Sequence, residues 1–331
     1  MTNHSLLFPV LLVFFSTAVC FGQAVSSALP VHEKKLATKT SNPALKNDIA
    51  LYQNDQSSGQ SPAGNAGQSG PSASTAPVAD EVPLIQDNSF LIEEAYNQDA
   101  GIVQNILTFT RARNGDWLST YTQEIPIWTL KHQFSYTIPI QHFADASTGI
   151  GDIAINYRYQ AFGNSEAKYL FAPRFSVLIP TGNRKKDLGL GAVGYQFNLP
   201  LTAVHHEKVT THWNAGLTYT PNARNASGDK ADSFGYNFGQ STIWTPTRRF
   251  NVLFETLWNT TQSVASPGRV DNEDSLIINP GVRWSHNFKN GTQIVPGISI
   301  PIGIGPSKGD VGVFLYLSIE HNWPFFGRSK D

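Results

Sequence analysis

One short stretch of the sequence has side chains that could bind a metal ion. His205, His206 and Glu207 are consecutive, and His212 follows them closely. Neighbouring side chains of a β-strand point to opposite faces, so His205 and His206 cannot easily reach the same ion. The sequence therefore predicts no metal site here.

Two further patterns have the residue types of a reactive or cofactor site but lack its context. His142, Asp145 and Ser147 could form a Ser–His dyad with an orienting carboxylate, but they share one short loop and no spacing marks a nucleophile. Residues 189–194 match G-x-G-x-x-G. A dinucleotide site needs a strand before this motif and a helix after it, whereas here a polar loop precedes and a strand follows. We predict no catalytic residues, no cofactor and no enzyme.

The composition favours a membrane β-barrel. Only 15% of the 331 residues are charged, whereas 11% are aromatic, and about 25% charged residues is usual in a soluble domain. The net charge of -1 argues against nucleic-acid binding, which needs a basic surface. A mean hydropathy of -0.23 excludes a helical membrane protein, and a single cysteine, Cys20, excludes a disulfide scaffold. Alternating strands combine low charge with modest hydropathy in this way.

Beyond residue 100, apolar and polar residues alternate in twelve segments, each of which predicts a strand with two different faces. The segments are 102–112, 117–125, 132–141, 151–160, 169–179, 194–203, 211–221, 233–245, 250–260, 274–288, 292–304 and 311–323. Every lysine between residues 100 and 323 falls in a predicted turn or loop. Because a lysine facing lipid costs about 2–4 kcal/mol at the bilayer midplane, we predict an all-β fold, an antiparallel up-and-down transmembrane β-barrel of about 12 strands.

The connections and the tryptophans predict how this barrel is oriented. Long polar loops are expected at 181–190, 222–232 and 262–273, and the even strand number places both chain termini on one side, the periplasm. A candidate aromatic belt near the periplasmic strand ends consists of Trp128, Trp213, Trp244, Trp284 and Trp323. Five prolines fall inside predicted strands: Pro139, Pro173, Pro280, Pro296 and Pro301. A closed barrel has no edge to accommodate proline, so each is expected at a bulge or near a rim.

Seven charged residues lie on the polar strand faces and are candidate lumen-lining charges. They are Glu124, Asp152, Arg158, Arg174, Glu255, Arg283 and Glu320. If the polar faces point inward, these side chains meet in the lumen. They could pair with one another to satisfy a packed interior, or they could line a path and select solutes. The sequence leaves both interpretations open.

The residues before the barrel divide into three parts. An apolar run, Leu6–Phe15, is too short to span a bilayer and suits a signal peptide over 1–22. Residues 23–83 have the composition of a disordered periplasmic linker. Residues 84–101 form a short helical or irregular segment leading into the barrel at 102–326. Within it, 88–97 could be a short amphipathic helix, placed either in the barrel mouth or on the surface.

Four stretches of the chain resemble the bacterial outer-membrane family named for the MetA pathway of phenol degradation. They are IQDNSFLIEEAYNQDAGIVQNI (85–106), TQEIP (122–126), HQFSYTIPI (132–140) and GIGDIAINYRYQ (149–160). The resemblance implies an outer-membrane channel for hydrophobic or aromatic compounds, and the family has no catalytic residues to carry over.

Together these observations predict a channel or transporter of the bacterial outer membrane that passes small hydrophobic or aromatic solutes by passive diffusion. Its predicted partners are outer-membrane lipid and a small-molecule solute, with no nucleic acid, and its oligomeric state stays open. The alternatives are a soluble secreted β-sandwich acting in binding or adhesion and, third, a hydrolase embedded in a barrel.

Overall fold

The computed structural model describes residues 85, 89–143, 147–164 and 167–323. The predicted signal peptide, the predicted linker, Asp145 and residues 324–326 of the predicted barrel lie outside the described residues. In the part of the chain that the structure describes, no helix has the length and apolar character needed to cross a membrane.

Twelve antiparallel strands close into a barrel in which each strand pairs with its neighbours in sequence. The strands are β1 (Ile102–Ala112), β2 (Trp117–Pro126), β3 (His132–His142), β4 (Thr148–Ile150 and Ile153–Tyr159), β5 (Tyr169–Phe171 and Arg174–Ile179), β6 (Gly194–Asn198 and Leu201–His206), β7 (Val209–Arg224), β8 (Lys230–Thr247), β9 (Phe250–Ser266), β10 (Arg269–Trp284 and His286–Asn287), β11 (Gln293–Ser299 and Ile302–Gly303) and β12 (Gly312–Asn322). Single 3-10 turns lie at Arg184–Lys186 and Gly305–Ser307.

Pairing between the first and last strands closes the sheet. Gln104 of β1 lies opposite Glu320 of β12, and Thr110 lies opposite Phe314. This closure confirms the predicted fold class and excludes a β-sandwich, whose two sheets would keep separate edges. We call the end at which β1 begins and β12 ends the terminal end, and the other the opposite end.

The two faces of the strands differ as the alternation predicts. On β8 and β9, Phe238 and Phe254 are exposed on the outer face, whereas Ser241 and Glu255 are fully buried on the inner face. An apolar exterior around a polar interior is the arrangement that a lipid bilayer requires of a closed barrel.

The prolines coincide with breaks in the strand ladder, as expected. Pro173 and Pro301 lie inside the breaks of β5 and β11, whereas Pro139, Pro280 and Pro296 lie opposite breaks in β4, β11 and β10. At one of these breaks Gly151 N donates to Pro139 O over 3.0 Å, and at another Ile300 N donates to Pro280 O over 3.0 Å. Each proline thus lies where the regular donor pattern of the ladder is already interrupted.

Two of the three predicted long loops are wrong. Residues 222–232 and 262–273 mostly continue β7 to β10, which are joined by short turns at 225–229 and 267–268. Gln262 lies opposite Asn272, and Ser263 lies opposite Asp271. Most residues on both faces of these strand ends are polar, so the alternation in hydropathy that signals a half-buried strand is largely missing although the ladder continues. The third predicted loop, between Ile179 and Gly194, is present.

Candidate functional site: the lumen and residues 89–98

Residues 89–98, here called the lumen segment, run through the inside of the barrel. Its residues are almost all buried, with Ile92, Glu93, Glu94 and Ala95 at 0% exposure. The segment contains no helical residue, so it is irregular rather than helical, and it lies inside the barrel rather than on its surface.

Side chains of the barrel wall take the place of a helical hydrogen-bond pattern. The amides of Phe90 and Leu91 both donate to Oε1 of Glu255 over 2.9 Å. The Glu93 amide donates to Asn214 Oδ1 over 2.7 Å. Buried amides need such partners, so the wall holds the segment in an irregular path with bends at residues 90–92 and 95.

The hydrogen-bond partners of successive residues show that the segment crosses the lumen from one part of the barrel wall to another. Ser89 donates to Ser241 of β8 over 2.6 Å. Further along, the Ala95 amide donates to Thr202 of β6 over 2.9 Å, and the Gln98 amide donates to Gln133 of β3 over 2.7 Å. The segment therefore bridges walls that belong to distant strands.

One side of the lumen is apolar and receives the aromatic ring of Phe90. A Cβ atom on Gly281 would lie 2.5 Å from Phe90 Cε2, and one on Gly297 would lie 2.6 Å from Cε1. The rings of Phe314 and Tyr316 lie with centroids 5.5 and 5.6 Å from that of Phe90, within the range of favourable aromatic pairs. We call these four wall residues the aromatic seat.

Phe314 and Tyr316 of the aromatic seat, together with Phe90, belong to the largest buried apolar cluster of the described residues. Its members are Ile85, Phe90, Leu91, Ile92, Ile106, Ile243, Leu253, Leu257, Ile277, Val295, Phe314 and Tyr316. Ile92 packs so closely on Gly239 that a Cβ there would collide with its side chain. The interior thus carries a small hydrophobic core, shared by the wall and the lumen segment.

The other side of the lumen is polar and binds the carboxylate of Glu93. Glu93 forms ion pairs with Arg158 of β4 and Arg174 of β5, here called the arginine pair. Arg174 Nε donates to both carboxylate oxygens over 2.9 and 3.0 Å. Asn198 also donates to this carboxylate through Nδ2. All four side chains are almost fully buried.

Two opposing effects act on the pKa of Glu93: its burial and the nearby arginine charges. Burial alone would raise the pKa of Glu93, but the guanidinium groups of Arg174 and Arg158 hold it below its ordinary value. Removing one member of such a buried ion pair typically costs about 3–5 kcal/mol, because the remaining charge stays buried without compensation.

The structure brings two of the seven predicted lumen charges, Arg158 and Arg174, together around the carboxylate of Glu93, and Glu124 also acts electrostatically on Arg158. Glu255 binds the amides of the lumen segment. Glu124 accepts a hydrogen bond from Gln133 over 2.7 Å, and Glu320 accepts one from Gln104 over 3.2 Å. Arg283 lies beside the side-chain amide of Asn251. In the amide orientation that satisfies both groups, the Asn251 oxygen accepts from Arg283 Nε and Nη2 over 3.1 Å each. Asp152 lies apart from them, beside a loop at the opposite end.

Sequence reasoning missed the partner of the arginine pair. Glu93 lies before the first strand, so it was absent from a set of charges collected from strand faces. A usable signal was present, since Glu93 and Glu94 interrupt an apolar run, FLIEEAY. Two acidic residues inside a stretch that is otherwise fit for burial require buried partners.

A loop folds inward at the opposite end. It spans residues 180–193, and its Leu188 packs on Leu118 and Phe143 in a buried cluster. Asp152 fixes the base of this loop, because its two carboxylate oxygens accept from the amides of Gly182 and Leu190 over 2.9 Å each. This loop lies over strands from two sides of the barrel, since Leu190 packs against Ala223, Ala231 and Val264.

The groups considered for metal or cofactor chemistry are separated. His205 is exposed and contacts Thr211 over 2.8 Å, whereas His212 is buried and contacts Thr202 over 2.8 Å. Among the described residues, no group of three or more His, Cys, Asp or Glu side chains could hold one metal ion. The glycine motif at 189–194 leads into β6, not into a helix.

The predicted belt tryptophans lie toward the terminal end. Trp128 belongs to the turn between β2 and β3 and is 80% exposed. Trp244 and Trp284 lie on the outer face, opposite Val209 and Phe250 respectively. Trp213 is also exposed on β7, and Trp323 N donates to Gly101 O over 2.7 Å at the chain ends of the barrel.

No family model matches the sequence, and no curated protein matches it. Among solved structures, the chain is similar to the NanC porin, at 6% identity and a TM-score of 0.45, over 66% of this chain and 99% of that chain. It is similar to the KdgM porin at 11% identity and a TM-score of 0.39, over 66% and 99% of the two chains. It is also similar to an outer membrane channel from Pseudomonas putida F1 at 14% identity and a TM-score of 0.47, over 69% and 97%.

Proposed function

We propose that this protein is a channel of the bacterial outer membrane, with the terminal end of the barrel, where β1 begins and β12 ends, on the periplasmic side. Small hydrophobic or aromatic solutes pass through it by diffusion when the lumen segment leaves its binding place in the barrel. The closed strand ladder and the apolar exterior support the membrane location. The solute class is the one that the sequence resemblance of stretches within 85–160 to the MetA-pathway family implies, and it is part of this proposal.

The observation that carries this proposal is the aromatic seat. A barrel that only anchors a protein needs no apolar recess in its interior that fits an aromatic ring. Here Gly281 and Gly297 leave room for an aromatic ring, and Phe314 and Tyr316 border the same space. Since Phe90 belongs to a segment outside the strand ladder, its departure would leave a surface of this shape to a solute of similar size and chemistry.

The lumen segment is the element that must move. It is held by wall side chains and by apolar packing, whereas no residue between 89 and 98 belongs to a strand. Its displacement therefore breaks no ladder hydrogen bond. The barrel can stay closed while its interior opens.

Liposome swelling and planar-bilayer conductance test the proposal with two deletions. Deletion of 89–98 should allow faster entry of small neutral aromatic solutes, such as benzyl alcohol, and a larger conductance than the wild type. Deletion of 30–78 is the matched control, because it also shortens the chain before β1 but keeps the lumen segment, and it should behave as the wild type. Heat-modifiable gel mobility reports whether each variant forms a closed barrel. A closed barrel without 89–98 that passes neither ions nor aromatic solutes would refute the channel.

A further inference from the structure

The arginine pair forms a preformed anion site on the barrel wall. Arg158 and Arg174 lie directly opposite each other on β4 and β5, and both are buried. Two like charges side by side in a poorly solvated interior repel each other unless an anion lies between them. At present that anion is the carboxylate of Glu93.

Two of the three donors have their positions set by the barrel wall as well as by the lumen segment. Arg174 is bound through Nη2 to Gln196 over 3.0 Å and through Nη1 to Ser176. These contacts aim its Nε toward the lumen. Asn198 belongs to β6 and is fixed by its strand. Only Arg158 has a second contact to the segment, donating to Tyr96 O over 2.8 Å.

We propose that Arg158, Arg174 and Asn198 form a binding site for the carboxylate of a small organic acid, and that Glu93 occupies this site as an internal ligand. A solute that carries a carboxylate would compete with Glu93 and favour release of the lumen segment. The inference rests on the proposed channel function, and it specifies the solutes as amphipathic acids with an apolar body. The polar site and the aromatic seat lie on opposite sides of one lumen, so such a solute meets both surfaces.

The geometry favours a carboxylate over other anions. Arg174 Nε contacts both oxygens of one planar group, and Asn198 donates to the oxygen that Arg158 does not bind. Paired donors of this kind match a two-oxygen acceptor. Glu124 lies within electrostatic reach of Arg158, so a dianion such as phosphate is disfavoured relative to a monoanion.

Titration calorimetry of the full chain in detergent tests the site independently of transport. Glu93→Ala should bind benzoate with an affinity at least about tenfold higher than the wild type, because the internal ligand is gone. Benzyl alcohol, which lacks the carboxylate, should show no such gain. Arg174→Gln in the Glu93→Ala background should abolish the gain.

Glu94→Ala is the matched control variant. It removes the same charge from the neighbouring residue of the lumen segment but leaves Glu93 on the arginine pair. Glu94 also acts electrostatically on Arg158, so benzoate affinity should rise much less in Glu94→Ala than in Glu93→Ala. An equal gain in Glu94→Ala and Glu93→Ala would mean a general charge effect and would overturn the site.

A second measurement covers the case in which Glu93→Ala does not form a closed barrel. In a Cys20→Ser, Ala95→Cys chain, benzoate should increase the rate at which a thiol reagent labels residue 95, whereas benzyl alcohol at the same concentration should increase it less. Equal rates with both compounds would contradict the inference. The channel proposal fails separately, when neither compound permeates the closed barrel that lacks 89–98.

Discussion

At the scale of single residues, Glu93 connects the lumen segment to the wall. Its carboxylate meets two guanidinium groups and one amide, which concentrates charge-assisted contacts on one buried side chain. Because charge-assisted hydrogen bonds are about twice as strong as neutral ones, this residue should dominate how firmly the segment is held.

The ionisation of Glu93 should make the lumen segment sensitive to acid. Its folded pKa is below the ordinary value of 4.5, so its contribution is fully present above the unfolded pKa and is lost as pH falls through the folded one. Conductance should therefore rise when the pH falls below about 4.5.

Glu93→Gln provides the control for this acid response, because a glutamine has no proton to gain in this range. Glu94 and Glu124, which act on Arg158, remain in both proteins. The difference between the two pH profiles therefore isolates Glu93. Identical profiles would show that other lumen carboxylates cause the change.

The glycines of the aromatic seat allow a second prediction. In Gly297→Ala the new methyl group would lie 2.6 Å from Phe90 Cε1, too close for any real contact. Overpacking of this kind costs about 1–3 kcal/mol, so the segment should leave more often and the conductance should rise. Gly235→Ala is the matched control in β8, because its nearest atoms would be 3.6 Å away. An equal effect of both substitutions would argue against the seat.

At the scale of elements, the strands could be predicted because burial imposes a period of two on them. All twelve predicted segments overlap a strand of the barrel, and even the prolines lie at its breaks. The prediction failed where burial ends. Strands such as β9 continue beyond the alternating segment, where residues 260–263 (TTQS) are polar on both faces. A pattern of hydropathy cannot distinguish such a stretch from a polar loop.

The contents of the lumen were less predictable from sequence than its wall. Alternation assigns Arg158 and Arg174 to inner faces, but it carries no information on which residues of another element they meet. That depends on the path of an irregular segment, which follows wall partners such as Glu255 and Asn214 rather than a local period. Its burial could be anticipated from FLIEEAY, but its position across the lumen could not.

The loop at 180–193 gives a prediction at the same scale. Asp152→Ala removes the acceptor that fixes the amides of Gly182 and Leu190. A fully buried amide that loses its partner costs about 1–3 kcal/mol, and these partly buried amides should cost less than that. The loop should open locally more often, so trypsin should cleave after Arg184, Lys185 or Lys186 faster than in the wild type.

Asp232→Ala is the control for this loop. Asp232 likewise accepts hydrogen bonds from an amide and a side chain, those of Asn222 and Tyr219, but in the hairpin of β7 and β8. Its loss should leave the cleavage rate at 184–186 unchanged. Faster cleavage in both variants would indicate general loosening of the barrel rather than release of this loop.

At the scale of the whole molecule, two elements lie in series along the barrel axis. The lumen segment crosses the interior near the terminal end, and the 180–193 loop packs over strands at the opposite end. A solute must pass both. The lumen segment carries Glu93, which neutralises the arginine pair, and three members of the largest apolar cluster, Phe90, Leu91 and Ile92. Its release should therefore control passage more strongly than movement of the loop.

The division between a closed wall and a separable interior leads to a prediction on stability. Deletion of 89–98 removes Phe90, Leu91 and Ile92 from the apolar cluster and leaves the arginine pair without Glu93. Each loss destabilises the folded barrel, by about 1.5–3 kcal/mol for a buried apolar side chain and about 3–5 kcal/mol for a broken buried ion pair. The unboiled protein should still migrate as a folded barrel, because the ladder from β1 to β12 is intact, but it should convert to the unfolded form at a lower temperature than the wild type. Deletion of 30–78 should leave that temperature unchanged. If the two deletions lower it equally, the lumen segment contributes no more to stability than the chain that precedes it, and the packing described for it does not hold in the membrane.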